Sequence, residues 1–374
     1  MSDFKRPLRL GMVGGGAGAF IGYVHRVAAR LDGQYELVAG ALSSRPEVAR
    51  ESGLALGLAE DRIYTDFKQM AEAEAARPDG IEVVAIVTPN HMHTGPARAF
   101  LEAGIHVICD KPLAATLEDA EALASVTPKG SARFLLTHTY TGYPLVRLAR
   151  EMVARGDLGK IRMVQAEYAQ DWLTEATEAE QNGTAWRADP AKSGAGGAIA
   201  DIGTHAYNLT RFVSGLQVTS LSADLDAFVP GRRVDDNANI MLRFEGGAKG
   251  MLWASQVAVG HENSVRLRIY GDKGSLDWQQ ENPNQLHFSQ FGAPTQIITR
   301  NGAGSNGIGR VPSGHPEGYL EAFATLYQDF AGVLRSEEPA ATLPTLADGI
   351  EGLRFIMAAI RSSEADGRWQ PINQ

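Results

Sequence analysis

The chain predicts two units in series: a doubly wound parallel α/β sheet, then an α+β unit built mainly on antiparallel strands. Three observations carry that reading. Strand and helix signals alternate at short spacing through residues 1–140, as expected of parallel strands joined by crossover helices. A glycine-rich turn, Gly14-Gly15-Gly16-Ala17-Gly18, closes the first strand and opens the first helix. From about residue 145 hairpin chemistry takes over, with Glu245-Gly246-Gly247 and Gly271-Asp272-Lys273-Gly274 set between strand signals. At 374 residues the chain is longer than one ordinary core, so the expected division is 1–140 and 141–374.

Each element has its own warrant. Leu8 to Val13 is an apolar strand, and the helix after the glycine turn runs through Val24, Val27, Ala28 and Leu31. Tyr35 to Leu42 is the second strand. Ser43 and Ser44 are cap residues ahead of a helix over Pro46 to Ser52, with proline in its first turn. Asp66 to Ala75 is helical. Val83 to Val87 is continuously apolar, which suits a strand covered on both faces. Pro96 to Ala103 is a helix stopped by Gly104. Ile105–Cys109, Leu117–Ser125 and Phe134–Thr137 complete the alternation as strand, helix and strand. A helix over Leu145 to Arg155 then ends at Gly156, and strands follow at Ile161–Tyr168, Val218–Phe228, Ala238–Phe244, Lys249–Val259, Val265–Gly271 and Ser275–Trp278. Helices close the chain at Tyr319–Leu334 and Thr345–Arg361. Segment 289–314, rich in Gly, Ser, Asn and Pro, is expected to be a long loop over a site or an interface.

The bulk chemistry excludes several classes. Apolar residues at 44% and charged residues at 21% are ordinary for a soluble globular protein. A net charge of −9 without any basic run argues against a nucleic-acid partner. The single cysteine, Cys109, rules out an intrachain disulfide and fits a reducing cytoplasm. Lys5, Arg6 and Arg9 precede an apolar stretch, Leu10 to Val24, that superficially resembles a secretory leader; six of its fifteen positions are glycine, which suits a turn instead. No segment has the length of a membrane span, so no membrane partner is expected. A metal is not expected either, because His91 and His93 stand two apart with no supporting ligand cluster.

The glycine turn is the first candidate site. Gly14, Gly16, Ala17 and Gly18 give a G-x-G start at which a Cβ would keep the backbone from a pyrophosphate resting on the helix N-terminus. A further glycine, Gly22, comes later than G-x-G-x-x-G spacing would place it. The second strand ends in Ser43-Ser44-Arg45, where an acid usually holds the adenosine ribose of NAD. Arg45 can pair with a 2′-phosphate or stand as a solvated surface charge, so NAD and NADP both stay open. Thr88-Pro89-Asn90-His91-Met92-His93 follows the third strand; Asn90 and His93 are expected to reach the nicotinamide-side ribose, and His91 to lie on the surface.

Two further strings carry the chemistry, Cys109-Asp110-Lys111-Pro112 and the run Gly196-Gly197 to Asp201-Ile202-Gly203-Thr204-His205. If the second is helical, its carboxylate and imidazole lie one turn apart on one face. Ile202, Ala206, Leu209 and Val213 form a core stripe, leaving Asp201, His205 and Asn208 on the adjacent face. A cation, a carboxylate and an imidazole beside a dinucleotide can move a proton while a hydride moves. Without the other motifs the pair would read as an ordinary i,i+4 surface contact.

Taken together, these strings resemble the Gfo/Idh/MocA oxidoreductase family, and the resemblance covers nearly the whole chain. It rests on the glycine turn, Thr88-Pro89-Asn90 with His93, an E-K-P-type motif and the Gly-Gly…Asp-x-Gly-x-His motif. Asp110 departs from the usual glutamate, Asn208 stands where many members have a second aspartate, and the glycine turn is lengthened. The resemblance implies a Rossmann unit followed by an α+β unit with an open-faced, mainly antiparallel sheet, whose exposed face commonly forms a homodimer or homotetramer interface. It assigns catalysis to Lys111 and His205 with Asp201 beside them, and adds Asp110 and Lys111 to the cofactor side. It leaves the substrate open among sugars, inositols and related polyols.

In that reading His205, with an unperturbed pKa of ~6.5, takes the hydroxyl proton, and Lys111 stabilises charge developing on the substrate oxygen. Trp172, Trp186, Arg187 and Lys192 flank the catalytic stretch in sequence; aromatic faces suit sugar C–H surfaces, and Arg or Lys can hold an anionic substituent. Tyr143, Arg147, Asn208 and His315 complete the substrate candidates. Three functions compete: a sugar or polyol dehydrogenase, an NAD-dependent glycoside hydrolase working by transient oxidation and elimination, and a non-catalytic ligand sensor. The intact Lys–Asp–His set favours the first two.

Overall fold

In the computed structural model the structure describes residues 6–176, 194–305, 307–336 and 342–373. The chain forms two compact units, Met1–Thr139 with Phe323–Ile350, and Tyr140–Ala322 with Glu351–Gln374. Segment 323–350, which the sequence division assigned to the second unit, therefore clusters with the first. Side chains explain this. The Tyr327 hydroxyl lies 2.8 Å from His25 Nδ1, Tyr327 packs edge-on to Tyr35, and Gly349 abuts Leu113 and Leu136 so closely that a Cβ would clash.

The first unit is a five-stranded parallel sheet in the order β2-β1-β3-β4-β5, built from β1 (Leu8–Gly14), β2 (Tyr35–Ala41), β3 (Val83–Val87), β4 (His106–Cys109) and β5 (Phe134–Leu136). All of β3 is buried, as its continuous apolar run requires. The crossovers are α1 (Phe20–Leu31), α2 (Pro46–Ala55), α3 (Phe67–Ala76), α4 (Thr94–Ala103) and α5 (Leu117–Ala124). Local chemistry fixes their ends. Asp66 accepts from the N–H groups of Lys68 and Gln69 to start α3, Thr116 accepts from Asp119 N–H to start α5, and Gly104 ends α4 at φ 86°.

The second unit is a nine-stranded sheet in the order β13-β12-β11-β10-β6-β9-β8-β7-β14. Its strands are β6 (Ile161–Ala169), β7 (Val218–Asp226), β8 (Asn237–Phe244), β9 (Lys249–Ser255), β10 (Ser264–Gly271), β11 (Gly274–Gln279), β12 (Gln285–Gln290), β13 (Gln296–Thr299) and β14 (Gln370–Pro371). Neighbours are antiparallel except β6 and β9, which run parallel. The helices α6 (Pro144–Ala154) and α7 (Thr204–Ser214) belong to this unit, and α7 packs on β6, β9 and β10. The helices α8 (Tyr319–Ser336) and α9 (Leu346–Glu364) each contribute to both units. The sheet side chains alternate cleanly, and the outward set includes exposed Met163, Met241 and Met251.

Segment 289–314 departs from its expectation as one long loop. The end of β12 and all of β13 lie within it, and the hairpin pairs Leu286 with Ile298 and Phe288 with Gln296. The stretch after it is pinned from below. Buried Arg300 pairs with Glu317 at 3.0 Å, and donates to the carbonyl of Val311 and to Asn284 Oδ1.

Candidate active site

In the first unit the sequence-predicted residues gather at the carboxyl ends of the strands. The strand order reverses between β1 and β3, and that is where ligands bind in open parallel sheets. Gly14, Gly15 and Gly18 hold φ of 80°, 71° and 81°, a region closed to most side chains. A Cβ on Gly18 would meet nothing within 4 Å, so the turn opens to solvent there, ahead of the N-terminus of α1. That geometry fits a pyrophosphate on a helix end. Gly16 has a different reason from the one expected: its Cβ would lie 2.9 Å from the Leu42 carbonyl oxygen and 3.1 Å from Ser52 Oγ. It lets the turn pack on the end of β2. Ala17 N–H donates to that same Ser52 Oγ at 3.0 Å. Gly22 supplies the missing third glycine, since a Cβ there would stand 2.5 Å from Gly15 Cα. The close approach of helix to strand survives the longer spacing.

After β2, Ser43 Oγ accepts from the N–H of exposed Arg45, which begins α2. After β3, Thr88 Oγ1 donates to the Met92 carbonyl, and Pro89 leads into a tight turn over Asn90–Met92. His93 corrects the expectation of a ribose contact. It is 1% exposed, with Nδ1 2.7 Å from the Pro112 carbonyl oxygen and Nε2 2.7 Å from that of Thr88. Two carbonyls facing both ring nitrogens call for an imidazolium, whereas burial pulls His93 below its ordinary pKa and the Asp110 charge pushes back. In either state the ring ties the loop after β3 to the loop after β4, and neither nitrogen is left for a ligand. Asp110 follows β4 and is held by Thr137 Oγ1 at 2.8 Å, with His25 Nε2 at 3.6 Å from its Oδ1. Burial alone would raise Asp110, but His25, Lys111 and His93 outweigh it and bring the carboxyl down to about 2. Lys111 joins Pro112 through a cis peptide.

In the second unit Asp201 and His205 belong to one helical run, but not to one regular α-helix. Residues Ile199–Gly203 form a π turn, with Thr204 N–H reaching back to the Ile199 carbonyl, and α7 begins at Thr204. The wider turn shifts Asp201 relative to His205 from pure α spacing, and such π segments frequently mark functional positions. Gly197 is required because its Cβ would lie 2.0 Å from the Asp235 carbonyl oxygen.

A polar chain surrounds the pair. Gln256 Nε2 donates to Asp201 Oδ2 at 2.9 Å and reaches Gln170 Oε1 at 3.5 Å. Gln170 and the Tyr168 hydroxyl both donate to Asn263 Oδ1, at 2.8 and 2.9 Å, and the Tyr140 hydroxyl lies 2.7 Å from that of Tyr168. Tyr140 stands edge-on to the His205 ring, centroids 4.9 Å apart. Burial raises Tyr140 to about 12 and Tyr168 well above its ordinary value, so both remain phenols that donate hydrogen bonds. Sequence reasoning missed Tyr140, Tyr168, Gln256 and Asn263.

The substrate candidates divide. Trp172 is 50% exposed and donates to Gln170 Oε1 at 3.0 Å, at the end of the chain that leads to Asp201. Asn208 is buried one turn beyond His205. Tyr143, by contrast, is a core residue, stacked on Tyr140 and edge-on to Trp278. Arg147 braces the preceding turn by donating from Nε to the Thr141 carbonyl. His315 is exposed, and its carbonyl takes a hydrogen bond from Arg300. Trp186, Arg187 and Lys192 lie outside the described residues.

Comparison with known proteins agrees with this two-unit fold. Residues 8–138 match the model of the oxidoreductase family with an NAD-binding Rossmann fold, and residues 146–277 match the GFO/IDH/MocA C-terminal domain. The chain is 53% identical to an oxidoreductase of known structure from Sinorhizobium meliloti, over 98% of this chain and 99% of that one, with a TM-score of 0.89. An inositol dehydrogenase homolog from Azotobacter vinelandii, complexed with NADH and myo-inositol, is 36% identical over 98% of each chain, with a TM-score of 0.88. Levoglucosan dehydrogenase from Pseudarthrobacter phenanthrenivorans is 28% identical over 98% of each. With both units matched, along with a relative of more than half identity, this chain belongs to the Gfo/Idh/MocA family of oxidoreductases with an NAD-binding Rossmann fold.

Proposed function

We propose that this protein oxidises a secondary alcohol of a sugar, inositol or related polyol, passing the hydride to a nicotinamide cofactor. The observation that carries the reading is the Asp201–His205 pair set in a chain of neutral hydrogen-bonding side chains, Tyr140, Tyr168, Gln170, Gln256 and Asn263. Amides and phenols both donate and accept, as hydroxyl groups do, so the lining suits a polyhydroxylated ligand better than a charged one. The relatives complexed with myo-inositol or named for levoglucosan support that class.

Within this reading the open turn over Gly14–Gly18, Ser43 to Arg45, Thr88 to Asn90 and the Asp110–Lys111 segment hold the dinucleotide. When bound, it supplies the hydride acceptor. His205 takes the hydroxyl proton of the substrate. Asp201, oriented by Gln256, binds a neighbouring hydroxyl or steadies the imidazolium that forms. Lys111 stabilises negative charge on the substrate oxygen as the proton leaves. Arg45 leaves NADP admissible beside NAD. A second copy of the chain is proposed to cover the open sheet face, where Met241 and Met251 sit directly opposite each other on β8 and β9. The cytoplasm is the proposed compartment, in keeping with the buried free thiol of Cys109.

The test is a panel of inositols, aldoses, anhydrosugars and glycosides with NAD+ and NADP+, following both reduced cofactor and released products. Net reduction of cofactor matched by one keto product is the expected result. Glycoside cleavage without net cofactor consumption would move the protein to the redox glycosidases.

A further inference from the structure

Three consecutive backbone N–H groups at the start of the Asp201–His205 run converge on one residue from a distant segment. Gly197 N–H donates to Asp235 Oδ1 at 2.6 Å, Ala198 N–H to the Asp235 carbonyl oxygen at 2.8 Å, and Ile199 N–H to Asp235 Oδ2 at 2.8 Å. These are donors that a helix leaves unpaired at its N-terminus. No side chain of the run itself caps the π turn. Asp235 immediately precedes Asp236 and β8, so the cap is delivered by the sheet. Gly197 makes it possible, because any side chain there would collide with the Asp235 carbonyl oxygen and Val234.

We propose that Asp235 is a positioning residue, a cap supplied across the fold that fixes the pitch and height of the π turn and so the placement of Asp201 and His205. The inference rests on the proposed role of His205 as base. A regular α-helix is held by its own repeat. A π turn lacks that uniform repeat, and its entry is held here by one external aspartate, whose carboxylate takes Gly197 and Ile199 and whose backbone carbonyl takes Ala198. Misplacing a reacting group by about 1 Å can cost ~10²-fold in rate, so the cap bears on turnover as well as on stability.

The charge state suits the role. The residue as a whole keeps some contact with solvent, while its carboxylate is turned onto the backbone. Burial raises that carboxyl to about 6, opposed by the donors on Gly197 and Ile199 and assisted by the negative charge of Asp236. Asp236 is itself paired with Arg232 at 3.0 Å. Both carboxyl oxygens accept backbone N–H groups, the arrangement that suits a carboxylate.

The experiment compares Asp235→Ala and Asp235→Asn with the wild-type enzyme by hydrogen exchange, NMR titration of the His205 ring, and steady-state kinetics on a substrate found in the panel. Loss of the cap should speed exchange at Gly197 and Ile199, shift the His205 titration, and lower kcat by ~tenfold or more, while KM for the dinucleotide stays within about twofold. Asp235→Asn keeps the shape but turns an NH2 onto one of the N–H groups, and should give an intermediate loss, which serves if the alanine variant fails to fold. Faster exchange with unchanged kcat and an unchanged His205 titration would reduce Asp235 to a stability device. Unchanged exchange would remove the cap itself. His205→Ala is the separate control: full turnover there overturns the role of His205, while the exchange data still report on the cap.

Discussion

Asp110 is the clearest case of one residue whose charge is set by its neighbours. Its carboxyl lies near 2 because His25, Lys111 and His93 together outweigh the cost of burial. A carboxyl whose folded pKa falls below its unfolded value adds stability above the unfolded pKa, and loses it as pH drops through the folded one. The drop from 3.8 to about 2 corresponds to ~2 kcal/mol. Urea unfolding should therefore find the advantage of wild type over Asp110→Asn shrinking by about that much between roughly pH 5 and pH 2. A difference that stays flat with pH would mean that these neighbours do not hold the carboxylate. Arg45 offers a second test. Arg45→Asp should raise the Kd for NADP more than that for NAD, because it replaces a phosphate partner with a repelling charge. An unmoved ratio of the two constants would leave Arg45 as a solvated charge. Lys111, Asp201 and His205 were legible in sequence because the proposed chemistry would need those residue types and they lie in short strings. Tyr140, Tyr168, Gln256 and Asn263 were not, since each is a common residue on a separate segment and only the sheet assembles them. His93 misled for the opposite reason. Its motif suggested a ligand, whereas in the fold two carbonyls already face its ring nitrogens.

At the scale of elements, the β1–α1 junction makes the sharpest demand. Gly22 and Gly15 touch through their backbones, so Gly22→Val must push α1 away from β1. Overpacking of this kind costs ~1–3 kcal/mol. The same displacement moves the helix end proposed to hold the dinucleotide, and NADH affinity should fall at least ~tenfold. Denaturant midpoints and NADH titration of the folded variant check both. Unchanged affinity in a destabilised variant would separate the helix end from cofactor binding. The parallel strands of the first unit were readable because burial on both faces writes continuous apolar runs. The hairpin of β12 and β13 was not, because half-buried Gln285, His287 and Ser289 alternate with Leu286 and Phe288, and the hairpin sits in a segment rich in turn residues. The π turn was also hidden, since a sequence period cannot distinguish a widened turn inside a helix from a regular one.

For the whole molecule, the open face of the nine-stranded sheet predicts association. Met163, Met241 and Met251 are each at least half exposed on neighbouring strands, with Met241 opposite Met251, and exposed apolar side chains grouped on a sheet face suit an interaction site. Replacing Met241 and Met251 by Lys should shift the species seen in sedimentation velocity towards the monomer while leaving the far-ultraviolet dichroism unchanged. A wild-type chain already monomeric at micromolar concentration would remove the interface. The path of the chain has a different consequence, in time rather than in space. The first unit lacks a full complement of residues until Ile350 exists, because Tyr327 covers His25 and Tyr35, and Gly349 seats on Leu113 and Leu136. During synthesis the early strands must therefore wait, incompletely covered, while residues 140–322 of the second unit emerge between them and the segment that completes them. Nascent chains stalled before residue 323 should be cut readily by protease within the dinucleotide unit, and those stalled well past 350 should resist.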